Sequence, residues 1–565
     1  MGRPLKIKTA KTAPIGRSRR DFFKASGSAA AVLAAAPMLA MAAVNPPPGG
    51  RFQHGVASGD PLSNRVILWT RITPPGRASA VVVTYVVATD PALNNVVLRG
   101  STKTNPDRDY TVKVDPTGLQ PGTTYYYRFF SSNEESPIGR TRTLPVGNTS
   151  RLRIAVASCS NHAAGFFNAY RRIAERADLD LVLHLGDYLY EYGPNVFPIA
   201  GVRTPEPSNE MVTLSDYRTR HAQYKRDADS QAMHRQQAVV AIWDDHETTN
   251  DSWTGGAENH SEGTEGTWGE RVNIALQAYY EWMPVRIPDA TQRRKNQRAF
   301  SCGNLLDLIM LEQRLVGRSQ QLVATIPVPG LGNGFVQSGG FADPSRTLLG
   351  AEQEAWLGNR LRMSGATWKF IGQGVMFAHL KLQGAPLAAG GGVFVNTDQW
   401  DGYQPARDRV YNFIKGDANT PAVNNVVVLT GDIHSSWAAD LTQDPNNANT
   451  GTGGYNAATG QGSRAVEFVG TSITSPGLSD PAGNTAAFLR SVNPHFKYID
   501  FNQRGYMLLD ITPQRAVCEW WYVDTVASIS NNQTFGTAFE VQQGTNRLQP
   551  SAMTTPLANP PALAP

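Results

Sequence analysis

Short apolar runs alternate with longer, partly polar stretches along most of the chain. Runs of this kind occupy residues 181–185, 239–242, 368–371 and 426–429, and each holds three or four apolar positions. The stretches 163–176, 217–236 and 352–363 lie before or after such runs and carry helix-like patterns. Strands that alternate with helices in this way are typical of an α/β protein, so we predict an α/β core that begins near residue 151.

The region before this core has a different pattern. Short alternating runs at residues 66–70, 80–85 and 123–129 are separated by Pro, Gly and Asn. This spacing predicts a small antiparallel β-sandwich. We therefore predict four regions: an N-terminal segment 1–42, a β-sandwich domain 50–147, a catalytic domain 150–527, and an irregular C-terminal extension 528–565.

The N-terminal segment resembles an export signal. It has paired arginines at Arg19 and Arg20, an Ala-rich apolar stretch at 29–43, and the small-residue sequence Ala40-Met41-Ala42. These features are typical of twin-arginine signals, with cleavage expected after Ala42. The alternative, a membrane helix, is disfavoured because the stretch is shorter than the roughly 20 apolar residues that span a bilayer. We expect a periplasmic or secreted protein, exported by the twin-arginine machinery, with no stable membrane span in its mature form.

Charge does not point to a polyanionic partner. The formal net charge is +5, but residues 1–42 contain eight basic side chains and one acid, so the remainder carries −2. Nucleic-acid binding is therefore not indicated for the mature protein.

The three cysteines leave two possibilities open. In an oxidising compartment Cys302 and Cys518 could pair and leave Cys159 as the odd thiol, although sequence does not show the pairing. An isolated Cys159 is often only a small buried hydrophobe. However, it directly follows an apolar alternation at 152, 154 and 156, where a strand gives way to a loop and a ligand is expected.

Chemically active side chains follow three further apolar runs. Asp187 and Tyr190 lie in GDYLYEYG, Asp245 and His246 in WDDHE, and Asp432 with His434 in GDIHSSW. Open α/β sheets collect ligands beyond the carboxyl ends of their strands, so these groups and Cys159 are expected to form one metal site.

Each motif also has an ordinary interpretation. A lone Asp-x-x-Tyr is weak and fits a loop with a packed tyrosine. The WDDHE segment could be a surface turn, but buried adjacent carboxylates repel each other unless a cation lies nearby. Asp432 and His434 are two residues apart, so in extended chain both side chains face the same side.

Longer segments resemble the PhoD-type alkaline phosphatase and phosphodiesterase family, calcineurin-like metallophosphoesterases that are relatives of the purple acid phosphatases. The resemblance extends in order over most of the chain and is carried by FQHGVASGDPLSNRVILWTRI, YRTRHAQYKRDADSQAMHRQQAVVAIWDDHETTND, LLGAEQEAWLGNRL, ATWKFIGQGVMFAHL, NTDQWDGYQPARDR, GDIHSSWAADL and RGYMLLDIT. It implies a metallophosphoesterase-type αββα sandwich, with a fibronectin III-like N-terminal domain.

The resemblance also implies roles for individual residues. Fe³⁺ would be held by a thiolate, a carboxylate, a phenolate and an imidazole: Cys159, Asp187, Tyr190 and His434. One or two Ca²⁺ ions would lie beside it, with Asp187 bridging and with Asp245 and Asp432 as further ligands. His246 would assist the leaving group. Asn250 and Asp251 are additional oxygen donors for calcium. Arg314 would contact phosphate, although many relatives have Asp-x-Arg where this chain has Glu312-Gln313-Arg314.

The function implied is an exported, metal-dependent alkaline phosphatase or phosphodiesterase that hydrolyses phosphate esters with a metal-activated water. We expect a monomer. Two alternatives stay open: a phospholipase D-like phosphodiesterase, and a periplasmic phosphate- or metal-binding protein that keeps the fold without catalysis.

Overall fold

The computed structural model describes residues 51–565, apart from positions 75, 77, 195, 197–201, 324–325, 329–331 and 337–338. The predicted export signal at 1–42 therefore lies outside the described residues. Within the described part, no helix is both long enough and apolar enough to cross a bilayer.

The strands are given in chain order. In the N-terminal region they are β1 (Val56–Gly59), β2 (Ile67–Arg71), β3 (Val81–Ala88), β4 (Val96–Thr104), β5 (Thr111–Val114), β6 (Thr124–Ser131), β7 (Glu134–Glu135) and β8 (Gly139–Arg142). The later strands are β9 (Leu152–Ala157), β10 (Leu181–His184), β11 (Ala238–Ala241), β12 (Arg298–Cys302), β13 (Leu306–Met310), β14 (Ile326–Val328), β15 (Gly332–Val336), β16 (Trp368–Gln373), β17 (Lys381–Gly384), β18 (Gly392–Phe394), β19 (Val426–Thr430), β20 (Ser436–Leu441), β21 (Ala465–Val469), β22 (Phe496–Asp500), β23 (Arg504–Ile511), β24 (Arg515–Val523), β25 (Gln533–Gln542) and β26 (Leu548–Pro550).

The α-helices of the described residues are α1 (Asn168–Ala174), α2 (Leu214–Arg226), α3 (Ala228–Gln236), α4 (Glu262–Glu265), α5 (Trp268–Trp282), α6 (Gly350–Met363), α7 (Gln404–Lys415) and α8 (Asn484–Val492). Short 3-10 turns lie at Pro106–Arg108, His162–Ala164, Gly339–Ala342, Leu387–Ala389, Trp400–Tyr403 and Thr450–Thr452. The helices predicted around 163–176, 217–236 and 352–363 are confirmed, although 217–236 is split into α2 and α3.

Two large mixed sheets form the centre of the molecule. The first has the strand order β26-β25-β24-β23-β9-β10-β11-β1-β2-β5, and the second has the order β12-β13-β16-β19-β21-β20-β22. Strands β9, β10 and β11 are parallel neighbours, as are β13, β16, β19 and β21. Parallel neighbours of this kind are buried on both faces and therefore appear in sequence as continuous apolar runs.

The layers follow from the alternation of side chains along each strand. In β9, Ile154 and Val156 face a core shared with the second sheet, whereas Ala155 and Ala157 face a core that contains residues of α1, α2 and α5. On the far side, alternate residues of the second sheet pack against α6 and α7. Helix, sheet, sheet and helix layers result, which confirms the predicted α/β fold of αββα type.

The N-terminal region shares a sheet with this core. Strands β1, β2 and β5 continue the first sheet beyond β11, while β3, β4 and β6–β8 form a separate antiparallel sheet. A core between them includes Leu68 and Val112 from one side and Val83 and Phe129 from the other. At Gly59 a Cβ atom would lie 2.4 Å from the Pro284 carbonyl oxygen, so glycine permits the close approach of β1 to its neighbours.

The C-terminal segment differs from the prediction. Residues 528–565 were expected to be irregular, but β25 pairs with β24 along its length and β26 pairs with β25. Phe539 and Val541 place their side chains in the core between the two sheets. The prolines that suggested irregularity lie at the end of β26 or beyond it.

The last residues fold back to the N-terminal region. The side-chain amide of Gln236 donates to the Ala564 carbonyl (2.9 Å) and accepts from its N–H (2.8 Å). Ala564 packs with Tyr126 and Ile138, and the Tyr126 hydroxyl donates to the Ala562 carbonyl (2.6 Å). The tail therefore connects α3 to the N-terminal antiparallel sheet.

The structure also answers the question about the cysteines. Cys302 and Cys518 are buried in the core between the sheets and are free thiols, so the disulfide considered from the sequence is not formed. Burial raises the pKa of both thiols, which keeps them protonated.

We predict that deletion of residues 560–565 lowers the melting temperature by a few degrees. The free energy of unfolding should fall by about 2 kcal/mol, because the contacts of Ala562 and Ala564 are lost and a net hydrogen bond contributes about 1 kcal/mol. Differential scanning calorimetry measures the shift, with the substitution Leu557→Ala on the exposed part of the tail as control. An unchanged melting temperature would show that the tail does not stabilise the fold.

Candidate metal centre

The proposed ligands follow the carboxyl ends of four strands. Cys159 follows β9, Asp187 follows β10, Asp245 follows β11, and Asp432 and His434 follow β19. The first three strands are neighbours in one sheet and β19 is in the other. The centre therefore lies at one edge of the sandwich, where the carboxyl ends of both sheets meet, as the sequence predicted.

The backbone at these positions is unusual. Cys159, Asp187, Asp432 and His434 all have positive φ angles, between 53° and 59°. Non-glycine residues rarely adopt this left-handed conformation, and its cost is accepted where surrounding structure fixes it, commonly at functional sites. Four such residues at one centre indicate that function, not local preference, sets their conformation.

Three ligand types meet at the first cluster. One ligand atom each of Cys159, Asp187 and His434 lie within 4.8 Å of one another. The Tyr190 hydroxyl is 3.0 Å from Asp187 Oδ2 and 3.0 Å from His434 Nε2. The four residues expected to hold one ion are therefore brought together, and all four are buried.

Neighbouring groups orient this cluster. His434 Nδ1 is 2.7 Å from the Pro476 carbonyl oxygen. A carbonyl only accepts, so Nδ1 carries the hydrogen and Nε2 presents its lone pair to the cluster. The Ser475 hydroxyl lies 2.7 Å from the Tyr190 hydroxyl and 2.8 Å from the Cys159 carbonyl oxygen. It therefore links the loop after β9, which carries Cys159, to the loop after β10, which carries Tyr190.

Two further clusters adjoin the first. Asp187, Asp245 and His246 form one, and Asp244, Asp245 and Asp432 form the other, each with ligand atoms within 4.8 Å of one another. Asp187 belongs to the first two clusters and Asp245 to the last two. The seven residues that the sequence pointed to at this centre thus form one continuous group, and Asp244 is an addition that the sequence analysis did not assign.

Glu247 holds the loops after β10 and β11 against each other. Its carboxylate accepts hydrogen bonds from the backbone N–H groups of Asp187 (3.1 Å), Tyr188 (2.6 Å) and Asp244 (2.9 Å). The approach is close at Gly186, where φ is +102° and a Cβ atom would lie 2.5 Å from that of Asp244. Only glycine satisfies both conditions.

Burial dominates the electrostatics of the centre. It raises the pKa of Asp187 well above its usual range, and it raises those of Asp244 and Glu247 to about 7. Neighbouring carboxylates add to the effect at both aspartates, whereas His246 opposes it at Asp187 and Arg314 opposes it at Asp244. A cation among these carboxylates would remove the penalty on their charged forms.

His246 is held by a residue that the sequence analysis did not assign. Its Nδ1 lies 2.7 Å from Glu191 Oε2. Burial alone would lower the pKa of His246, but the charges of Glu191, Asp245 and Asp187 outweigh it and raise the pKa to about 10. Glu191 is itself fixed by the N–H of Asn250 (2.8 Å). Glu191 therefore fixes the imidazole through Nδ1 and favours its protonated form.

Arg314, which is expected to contact phosphate, lies among carboxylates of the centre in this structure. Its guanidinium is fully buried and donates to Asp244 through Nε and Nη2 and to Asp398 through Nη1 (2.7 Å). Nη2 is also 3.6 Å from oxygens of Asp245 and Asp432. Its donors point at carboxylates, so it neutralises the acidic cluster. Glu312 acts on the backbone: its carboxylate accepts from the N–H groups of Arg314, Leu315 and Val316, which holds the turn that carries Arg314.

Asn250 and Asp251, expected as further oxygen donors, lie at the edge of the centre. The side-chain amide of Asn250 donates to Glu258 (3.0 Å), and the backbone N–H of Asp251 donates to Asp245 Oδ2 (2.7 Å). Asp251 does not belong to any of the three clusters found among the described residues. In this structure Asp251 orients a proposed ligand through its backbone.

The donors fit the ions that the resemblance implies. A thiolate, a phenolate and a carboxylate with one imidazole give a strongly anionic set that suits a trivalent ion, and imidazole and thiolate both accommodate iron. The carboxylates of Asp245 and Asp432 offer oxygen donors of the kind that calcium takes.

Comparison with known proteins agrees with this geometry. The PhoD-like phosphatase model matches residues 154–520, and the model of the PhoD-like phosphatase N-terminal domain matches residues 39–145. Alkaline phosphatase D of Bacillus subtilis (strain 168) is 38% identical over 503 residues, which cover 86% of this chain and 80% of that protein. A solved structure described as the structure of PhoD superposes with a TM-score of 0.77 at 36% identity, over 90% of this chain and 93% of the other.

These matches include every strand end that contributes to the centre. They also extend over both the N-terminal sheet region and the αββα core. The chain therefore belongs to the PhoD-like phosphatase family and is a phosphoric ester hydrolase.

Proposed function

We propose that the protein is an exported, metal-dependent alkaline phosphatase and phosphodiesterase. Cys159, Asp187, Tyr190 and His434 would hold an iron ion, proposed as Fe³⁺. Asp187, Asp245 and Asp432 would hold one or two calcium ions beside it. The observation that carries the proposal is the meeting of thiol, carboxylate and imidazole within 4.8 Å, with the Tyr190 hydroxyl 3.0 Å from two of them.

The proposal includes the organisation of the chain. Residues 1–42 are the twin-arginine signal, 50–147 the N-terminal sandwich domain, and the catalytic domain begins at residue 150 and includes β25 and β26. The support for export is the sequence of the signal itself, with Arg19, Arg20 and a site after Ala42. Export of an already folded chain suits a protein that acquires its metals before it leaves the cytoplasm.

When bound, the ions would neutralise charge on the phosphate oxygens and make a water acidic enough to act as nucleophile. The chain's own residues do the rest. Asp187 offers a carboxylate oxygen to each of two adjoining clusters. Arg314 balances the carboxylates of Asp244 and Asp398, which limits the repulsion that an anionic substrate meets at the centre.

His246 would protonate the leaving group. Its Nδ1 is committed to Glu191, so the proton on Nε2 is the one available to the ester oxygen as the bond to phosphorus breaks. The ring packs against Tyr190 at a tilt of 34°, with ring centroids 4.1 Å apart, and Tyr192 packs at its edge. Glu191 and these two rings fix the direction in which the proton is presented.

Asp187→Asn should abolish activity and lower the metal content together. An amide replaces the shared carboxylate, and the loss should exceed the roughly 10–100-fold that follows removal of an outer partner of a metal ligand. Elemental analysis and turnover of a phosphate monoester measure the two effects. Asp440→Asn, a buried aspartate paired with Lys497, is the control. Full metal loading with full activity would contradict the shared role of Asp187.

Tyr190→Phe should remove the visible absorption that a phenolate bound to Fe³⁺ produces. Tyr192→Phe should retain it, because that ring packs near His246 but is not placed between Asp187 and His434. The absorption spectrum of the metal-loaded protein is the measurement. Persistence of the band in Tyr190→Phe would exclude Tyr190 as the ligand, and a colourless active wild-type protein would exclude an Fe³⁺–phenolate centre.

Glu191→Gln should impair hydrolysis of alkyl phosphates far more than that of nitrophenyl phosphate. An alkoxide needs a proton as it leaves, whereas nitrophenolate is stable without one, and general acid catalysis contributes roughly 100-fold or more. His246→Asn should show the same selectivity, and the double variant should lose little more. Equal losses on both esters would indicate a structural role. Glu354→Gln, a buried carboxylate paired with Arg409, is the control.

A further inference from the structure

A cavity of about 410 Å³ lies between helix α2 and the N-terminal strands. Its lining includes Arg71 at the end of β2, Arg218 and Arg226 of α2, and the imidazole of His54, which precedes β1. Asp109 is the one carboxylate among the lining residues. Arg71 is paired with Asp109 through Nη2 (2.8 Å), so the guanidinium groups of the wall that face no lining carboxylate are those of Arg218 and Arg226.

One face of α2 forms this wall. Ser215, Arg218, Ala222 and Arg226 line the cavity and recur every three or four residues, as expected for one side of a helix. The opposite side carries Arg220, whose guanidinium donates to the backbone carbonyls of Tyr190 and Tyr192. The cavity and the metal-binding loop are thus on two different faces of the same helix.

Arg218 and Arg226 keep hydrogen-bond donors for a further partner. Arg218 binds Glu281 through Nε and Nη2, both at 2.7 Å, and the described residues provide no hydrogen-bond acceptor for its Nη1. Arg226 pairs with Glu206 at the surface, where the two side chains are 40% and 55% exposed. Such exposed pairs contribute little and exchange partners readily. Neither glutamate lines the cavity.

His54 is the second, independent observation. Its side chain is 3% exposed, and among the described residues neither ring nitrogen has a hydrogen-bond partner. The ring packs edge-on against Trp282, at a centroid distance of 5.2 Å. A buried polar group without a hydrogen-bond partner destabilises the fold. An oxygen-bearing ligand in the cavity would supply the missing acceptor.

We propose that this cavity binds an anion that bears a phosphate group, at a site separate from the metal centre. Guanidinium groups match phosphate geometry and form charge-assisted hydrogen bonds with it. The volume falls in the range of small-molecule sites and leaves room for an organic substituent. The site does not depend on the metals proposed above, so the two proposals can be tested separately.

Equilibrium dialysis with labelled inorganic phosphate tests the site, with phenylphosphonate as the organic counterpart. Both are measured on the metal-loaded protein and on Asp187→Asn. We expect saturable binding of at least one of the two probes in Asp187→Asn, weakened about tenfold by Arg226→Gln. Arg226 is partly exposed, so this variant should fold. Arg409→Gln, in which an arginine paired with Glu354 is removed elsewhere, should bind like its parent.

The outcomes separate the two proposals. Binding that survives Asp187→Asn but is weakened by Arg226→Gln supports the cavity, whatever happens to the metals and the activity. Tighter binding of phenylphosphonate than of phosphate would identify an organic phosphate as the natural occupant, and the reverse would identify inorganic phosphate. Absence of saturable binding of both probes in Asp187→Asn, or equal affinity in Arg226→Gln and its parent, would overturn the inference.

Discussion

Burial of negative charge is the constraint on which the rest of the site depends. The described residues around the centre include six buried carboxyl groups: Asp187, Glu191, Asp244, Asp245, Glu247 and Asp432. The cationic groups that face them are Arg314 and His246. Removing one carboxylate from water into a medium of low dielectric costs on the order of 20 kcal/mol before compensation.

Protons or bound cations must neutralise the negative charge that Arg314 and His246 leave unbalanced. Without metal, burial raises the pKa of Asp187 well above its usual range and that of Asp244 to about 7, which disfavours the anionic form of both carboxyl groups. With metal, both would be held as anions, so metal binding and local order support each other. Backbone strain is a further cost of the centre, because four of its residues have positive φ angles: Cys159, Asp187, Asp432 and His434. Their strain is sustained by the rigid strands that precede them, and the attraction of the donors to a shared cation would support it once metal is bound.

Much of this could be predicted from the sequence, because strands buried on both faces leave continuous apolar runs and each run ends at a polar group. That pattern alone predicts that Cys159, Asp187 and His434 lie together at the edge of the sandwich. Arg314 was harder, because its sequence neighbours gave no sign of Asp398, 84 positions further along the chain. Glu191 was within the quoted motif, but its role depends on which way a loop turns after Tyr190.

Strands β25 and β26 could not be predicted from the sequence, for a related reason. In β25 one end is exposed and the other buried, so its alternation is broken, and the prolines beyond it suggested an irregular tail. Pairing with β24 decides its conformation, and that partner is recognised only in the folded sheet. The folded-back tail depends likewise on Gln236, which is over 300 residues earlier in the chain.

Helix α2 connects the two halves of the molecule. Arg220 contacts the carbonyls on both sides of Glu191, and Tyr217 of the same helix donates to the carbonyl of Thr248 in the loop after β11. The backbone of both active-site loops therefore rests on one helix. The other face of that helix meets the N-terminal strands, where Arg218 reaches the Asp107 carbonyl. A displacement of α2 relative to these strands must move Tyr190 and His246 or break buried hydrogen bonds, so the N-terminal region contributes to the precision of the centre although it supplies none of the proposed ligands.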